Sequence, residues 1–501
     1  IAEERPAAVV SCGGDGTVHL CVQALAGTGF TREALIRLGL VGHEIAPIGR
    51  AIARSGGEAH GHLAVMIRLW MTAEPIPAPR LEASLGREVV ASLVRCGLLA
   101  PEGGSLRAVA CLLPMQRVWT LRDFDPREVG GVMHPDHVPS VSLSTALVAN
   151  FTVRTPARLG LDLGCGSGYQ ALRLAMHCER VIATDINERC LNFTQMTMAL
   201  NGVTNVDVRL GSLFEPVEGL RFDAIASNPP FVISPGSELI FRDSGLPGDQ
   251  VSERLIRRFA DILDEGGWAT VLFNWHHKAD ATWADRPREW VGGKGCDGWL
   301  VRLRTDEPEE YARAWILTGQ GGVGEVDPGK LREWTDYYRS IGAEAMSLAA
   351  LVLRKRSGGP ANWFRVDMPD HQDQMDSASD QVVRVFDAET ALRGPAGDAG
   401  LLDLKLRISP AARLEQTLEV HDRGWAPRTS RLSLTDGLRQ STPLSPAVSE
   451  FVAWQDGRFT VRDLARGAAG AWEVSPEQAE ASVVPVLARL MRAGYFEVGR
   501  V

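Results

Sequence analysis

A chain of 501 residues exceeds what one hydrophobic core usually organises, so it reads as roughly two to four domains. Hydrophobic residues at 45% and charged residues at 23% exclude a wholly disordered, collagen-like or coiled-coil chain. Lys plus Arg total 53 against 62 Asp plus Glu, and the net charge of -9 leaves no global basic field to hold a polyanion, so nucleic acid would need a local patch.

The first 125 residues read as mostly helical. FTREALIRLGL (30–40) and HLAVMIRLWMT (62–72) carry apolar residues at helical spacing. LEASLGREVVASLVRCGLLAPEGGSLRAVACLLP predicts a helix ending near Gly97, then two short apolar runs around the turn signal from Pro101 to Gly104, which is the tail of a winged helix. A helix and a terminal strand recur at the far end in SPEQAEASVVPVLARLMRAGYFEVGRV, preceded by TVRDLARGAA. Both termini are therefore expected to carry winged-helix-like units. Such units bind nucleic acid or partner peptides in some proteins and serve only packing in others; without a basic stripe, packing is favoured.

Residues 156–355 alternate short β-branched runs with helical stretches, the pattern of a parallel sheet wound by crossover helices. Seven strands are expected: RLGLDL, RVIATD, VDVRL, FDAIAS, WATVLFNW, GWLVRLRT and AMSLAALVLRK. Residues 367–380 hold Asp367, Asp370, Asp373, Asp376 and Asp380 with no Lys or Arg among them, and 357–380 reads as a solvated linker in preference to a metal cluster. The alternating segment 402–422 reads as a β pair opening a C-terminal α+β domain.

The eight cysteines show no CxxC spacing, and neither His60 with His62 nor His276 with His277 has enough neighbouring ligands, so no metal is expected. Reduced thiols and a cytoplasmic location are the expectation. No apolar run approaches the ~18 residues of a membrane span, and IAEERPAAVV does not lead into a long apolar stretch.

The chemistry lies in the alternating region. RLGLDL runs into GCGSG, placing Gly164, Gly166 and Gly168 in the turn between a first strand and its helix, where a backbone without Cβ atoms lets a ligand lie against the strand end. A dinucleotide fingerprint needs GxGxxG, whereas Tyr occupies 169. Asp185 ends the second strand and can accept hydrogen bonds from ribose hydroxyls; it could instead cap the following helix, but Asn187 already offers a cap. FDAIAS ends in Asn228-Pro229-Pro230-Phe231. The prolines fix φ and remove donors, so only acceptors point at the crevice. The Asn228 side-chain oxygen and the Pro229 carbonyl can receive both hydrogens of a planar NH2 group while Phe231 stacks on the plane that bears it.

LDLGCGSG, VIATDIN, LGSLFEP and SNPPF, in this order and spacing, resemble the class I S-adenosylmethionine-dependent methyltransferases. NPPF is similar to the amino-methylating branch, which holds release-factor glutamine methyltransferases, small-domain ribosomal RNA guanine methyltransferases and adenine N6 methyltransferases. The resemblance covers about 130–356, and DHVPSVSLSTAL with FRDSGLPGD resembles long bacterial members with extra terminal domains. It implies a seven-stranded Rossmann-like α/β sheet at 126–356, between an N-terminal domain (1–125) and a C-terminal domain (381–501) joined by the linker 357–380. It implies S-adenosylmethionine as cofactor, with Asp162, Gly164, Cys165, Gly166 and Gly168 at its methionine part, Asp185 and Ile186 at the ribose, and Ser212 and Leu213 at the adenine. Ser212 stands where relatives often carry Asp. Asn228, Pro229, Pro230 and Phe231 would present the substrate nitrogen. His137, Arg242 and Asp243 are further candidates for the cleft, with an ordinary loop histidine and a structural ion pair as the alternatives. A protein or peptide nitrogen is the first choice of substrate, because the chain is acidic and its flanks resemble partner-binding modules. Ribosomal or transfer RNA is second and a small molecule third; a cofactor-binding protein without catalysis is a different class. The oligomeric state is open.

Overall fold

The computed structural model describes residues 21, 23–38, 61–115, 118–129, 133–139, 141–279, 281–319, 324–368, 377–421 and 424–499. Expectations for 1–20, 39–60 and the acidic positions Asp370, Asp373 and Asp376 lie outside them.

The central unit begins with helix α1 (Leu143–Phe151) and proceeds through β1 (Ala157–Leu163), α2 (Tyr169–Ala175), β2 (Cys178–Asp185), α3 (Glu188–Leu200), β3 (Val206–Leu210) and β4 (Phe222–Ser227). After the long loop from β4 come α4 (Gln250–Ile262), β5 (Leu263–His277), α5 (Asp285–Val291), β6 (Cys296–Asp306), α6 (Pro308–Gly319), α7 (Pro328–Ser340) and β7 (Ala345–Lys355). The strands stand in the order β3-β2-β1-β4-β5-β7-β6. Strands β1 to β5 are parallel to one another, and β7 is antiparallel to both β5 and β6. The order reverses at β1 and β4, which opens a crevice at their carboxyl ends.

Sequence accounts for this arrangement locally. Ala269, Val271, Leu272, Phe273 and Trp275 of β5 are buried whichever way they point, as expected of a strand covered on both faces. In α4, Val251, Leu255, Ile256, Phe259 and Ile262 recur at helical spacing and cover one face of the sheet with Trp290 of α5. On the other face lie Leu147, Val148 and Phe151 of α1, Tyr311 and Ile316 of α6, and Trp334 and Tyr338 of α7.

The sheet has an eighth strand, β8 (Phe364–Asp367), parallel to β6 and drawn from the segment expected to be linker. Gly298 admits it: a Cβ there would come within 2.8 Å of the Phe364 ring. The Trp299 indole N–H donates to Asp367 Oδ2 at 2.6 Å, and the Arg365 guanidinium lies 5.4 Å from the Trp299 ring. Helix α8 (Ser379–Leu392) then packs back on the sheet, with Phe386 4.7 Å from Trp363 and 4.8 Å from Trp268 between ring centroids. Residues 357–380 are thus in part a docked element.

At the N-terminal side, helix Arg87–Arg95 is followed by hairpin Leu99–Glu102/Ser105–Ala108, turning at Gly103 and Gly104, both with positive φ. A second hairpin, Cys111–Met115/Val118–Arg122, was not expected. This unit shares a core with Cys190, Phe193, Met196 and Leu200 of α3. At the C-terminal side the helix Pro476–Arg492 and terminal strand are present, but Phe496–Val498 pairs with Leu406–Ile408. Segment 402–422 is therefore not a pair within itself: its longer strand, Ala412–His421, pairs with Gly424–Leu434 instead. The alternation signals strands and carries no information on their partners. Cys21, Cys111, Cys165, Cys178, Cys190 and Cys296 are free and buried, whereas Cys96 is disulfide-bonded, against the expectation of reduced thiols throughout. Among the described residues no helix is long and apolar enough to cross a membrane.

Candidate active site

The crevice between β1 and β4 is built mostly from backbone. Gly164 and Cys165 both donate their N–H to Thr184 O at 2.9 Å, so the turn after β1 is tied to the end of β2. Gly164, Gly166 and Gly168 have φ of 76°, 53° and 82°, a region that side chains with a Cβ rarely adopt. At Gly168 a Cβ would also come within 3.0 Å of Thr194 in α3. At Gly166 it would meet nothing within 4 Å, so the open space beside the turn is kept free by the glycine itself.

Asp162 is fully buried and takes the Ala171 N–H at 2.7 Å on Oδ2, while its Oδ1 has no hydrogen-bond partner. Burial pushes its pKa up to about 8, with the nearby Asp185 charge acting in the same direction and the Ala171 bond opposing them. Asp185 accepts from Gly166 N at 3.0 Å on Oδ2 and from Asn187 N at 2.9 Å on Oδ1. The Cys190 thiol and the Ile186 N–H also bear on this carboxylate. Burial raises the Asp185 pKa against the pull of these N–H bonds. Asn187 caps α3 by accepting from Arg189 N at 3.0 Å, so the cap and the acidic residue are separate, as the sequence suggests. Ile186 beside it is 61% exposed. After β3, Ser212 accepts from Glu215 N at 3.1 Å, and Leu213 has φ of 48°, a conformation that costs a branched residue on the order of 1–3 kcal/mol.

At the end of β4, Ser227 Oγ donates to Leu163 O at 2.7 Å, fixing the start of the Asn-Pro-Pro-Phe loop against β1. Pro229 Cα lies 3.8 Å from where a Gly164 Cβ would stand, so the two loops form adjacent walls. Asn228 Nδ2 donates to Thr145 Oγ1 at 3.3 Å, and Asn228 Oδ1 is buried with no partner. Phe231 is only 7% exposed and meets Trp315 of α6 edge to face, centroids 6.4 Å apart. Its ring is thus braced from behind rather than standing free in the cleft.

Three further candidates are buried among protein partners. His137 is 6% exposed, with its ring 5.8 Å from that of Phe241 and its Nδ1 3.9 Å from Asp123 Oδ2. Arg242 and Asp243 form a buried pair: Arg242 Nε and Nη2 donate to the two Asp243 oxygens at 2.8 and 2.9 Å, and its Nη1 donates to Trp315 O at 2.9 Å. Asp243 also accepts from Glu238 N and Leu239 N, which leaves the pair fully occupied in holding the loop. Sequence reasoning missed Thr145, Thr194 and Trp315. Only Thr145 had a local signal, the Ser-x-x-Thr spacing of a capping box at 142–145.

An open α/β sheet whose switch point carries a glycine turn, a ribose-ready carboxylate and a loop of bare acceptors defines a nucleoside-cofactor-dependent group-transfer domain. Residues 140–285 match the family described as Methyltransferase small domain, which supports an S-adenosylmethionine-dependent methyltransferase. The flanks match two families described as domains of unknown function, at 33–109 and 384–497. A release factor glutamine methyltransferase of Xylella fastidiosa (strain 9a5c) is 33% identical over 135 residues, covering 24% of this chain and 47% of that protein. A ribosomal RNA small subunit methyltransferase C of Enterobacter sp. (strain 638) is 39% identical over 133 residues, covering 26% and 35%. The chain therefore spans about half or less of the length of these relatives.

The residues present fit the cofactor. Gly166 keeps open the space at the strand end, Asp185 ends β2 with its carboxylate against the glycine turn, and Ile186 and Leu213 offer apolar surface on either side of the β2 and β3 ends.

Proposed function

We propose that the whole protein is an N-methyltransferase acting on a side-chain amide or amino nitrogen of a protein or peptide, with 126–356 as its catalytic unit. S-adenosylmethionine, when bound, supplies an electrophilic methyl group. Asp162, the turn from Gly164 to Gly168, Asp185, Ile186, Ser212 and Leu213 hold it. Asn228 Oδ1 and the Pro229 carbonyl accept the two hydrogens of the substrate NH2, which aims the nitrogen lone pair away from them and steadies positive charge as it develops. A nitrogen can release its proton after the transfer, so no general base is needed beside Asn228.

The observation that carries this reading is the buried Asn228 Oδ1 without a partner: a lone acceptor out of water is costly unless a donor arrives. The likeness to a release factor glutamine methyltransferase supports a protein amide. The likeness to a ribosomal RNA methyltransferase supports the second reading, an exocyclic amine of guanine or adenine. Extract from cells lacking the protein, incubated with it and methyl-tritiated S-adenosylmethionine, should gain label that protease releases. Label released by nuclease would replace the protein substrate with RNA, and cofactor binding without any transfer would return the chain to a non-catalytic binding protein.

A further inference from the structure

We propose that Thr145 is the residue that orients the Asn228 amide, fixing which end of it meets the substrate; this rests on the nitrogen-presenting role given to Asn228 above. A primary amide has two ends of nearly equal size and opposite hydrogen-bonding sense, so packing alone does not choose between them. If Asn228 were turned over, its NH2 would face the substrate NH2, donor against donor.

The choice follows from the hydroxyl pair that Thr145 forms with Ser142. Thr145 is the third residue of α1, and it forms a capping box with Ser142. Ser142 N donates to Thr145 Oγ1 at 3.4 Å, Thr145 N donates to Ser142 Oγ at 3.3 Å, and the two hydroxyl oxygens lie 3.2 Å apart. Of the two directions that the hydroxyl pair allows, we take the one in which Thr145 donates to Ser142 Oγ, which leaves Thr145 Oγ1 one lone pair used by Ser142 N and one left over. It can then only accept from Asn228, which is the 3.3 Å bond from Nδ2. The NH2 end is taken, and Oδ1 becomes the free end.

Helix α1 holds this hydroxyl in place from several directions. Gln170 Nε2 of α2 donates to Thr145 O at 2.7 Å. At its other end, Ala378 N donates to Asn150 O at 2.8 Å, and Ser379 Oγ accepts from Arg154 N at 3.0 Å, so the start of α8 grips the chain around the end of α1. The C-terminal region thereby braces the helix that sets the amide. Thr145 touches no reacting atom in this scheme and acts through Asn228 as a positioning residue.

The test compares Thr145→Val, Thr145→Ser, Ser142→Ala and Asn228→Ala in the full-length protein. Methyl-tritium incorporation into extract of cells lacking the protein is the activity, and S-adenosylhomocysteine calorimetry is the binding readout. Thr145→Val should lower turnover at saturating cofactor by about tenfold or more, while homocysteine-form affinity stays within about twofold. Thr145→Ser, which restores the acceptor, should recover most of it. Ser142→Ala removes the acceptor of the Thr145 hydroxyl hydrogen as well as the helix cap, so it should lower turnover together with stability; full turnover in Ser142→Ala would overturn the assignment of the hydroxyl pair. Adding Thr145→Val to Asn228→Ala should cost nothing further, because the two act through one contact. Full turnover in Thr145→Val beside a disabled Asn228→Ala would overturn this inference alone. Full turnover in Asn228→Ala would overturn the reading beneath it.

Discussion

At the ends of β1 to β3 the polar groups are largely bonded to the protein: Asp185 holds two backbone N–H groups, and the glycine turn is tied to Thr184. At the end of β4 the arrangement is reversed, for Asn228 has its donor end engaged and its acceptor end bare. The first region is a preformed cradle that hardly needs to move when occupied. The second keeps one acceptor in reserve for a donor that the protein does not supply. Binding and turnover should therefore separate along the sheet, and substitutions in the two regions should damage different quantities.

The largest effect expected belongs to the first region and to pH. Asp162 is protonated in both folded and unfolded chains well below pH 4. Between about pH 4 and about 8 the folded state keeps a proton that the unfolded state has lost, and above about 8 both are ionised. Stability should thus fall as pH rises through this window, with a slope on the order of 1 kcal/mol per pH unit. Asp162→Asn should flatten that slope in urea titrations run from pH 5 to 8; parallel profiles for the two proteins would show that Asp162 is ionised in the fold.

Next comes Asn228→Ala, expected to lower turnover by on the order of a hundredfold, as loss of one preorganised polar partner commonly does. Cofactor affinity should move little. If affinity for S-adenosylhomocysteine collapsed with turnover, the contrast between the two regions would be false. Asp185→Ala should do the opposite, weakening that affinity by roughly 1.5–3 kcal/mol, the scale of hydrogen bonds to a charged group. Calorimetry decides it, and unchanged binding would remove Asp185 from the ribose site. The smallest effect is on folding alone: Gly168→Ala forces a Cβ to within 3.0 Å of Thr194 at φ of 82°, and should cost about 1–3 kcal/mol of stability. A variant as stable as the parent would mean that the turn relaxes freely.

What could be read from the sequence follows from which residues act through the backbone. The glycines at 164, 166 and 168 and the prolines at 229 and 230 dictate local geometry wherever they stand, so the cradle and the acceptor loop were legible. Asp185 was legible because it ends a strand of recognisable pattern. Thr145 was not, because its role depends on an 83-residue separation closing to a hydrogen bond. Arg242 and Asp243 look the same in sequence whether they line a cleft or pair with each other, and their burial and pairing are visible only in the fold. Strand β8 escaped notice because four residues beside an acidic run carry little pattern; their place is made by Gly298 and Trp299, more than 60 residues earlier.

The atom that receives the methyl group tests the central claim most directly. Fragmentation mass spectrometry of the product formed from cell extract should place the methyl on a nitrogen that began as NH2, because only such a group offers two hydrogens to Asn228 Oδ1 and the Pro229 carbonyl. A methyl group on oxygen, carbon or sulfur would contradict the account of the acceptor loop, even with the cofactor cradle intact.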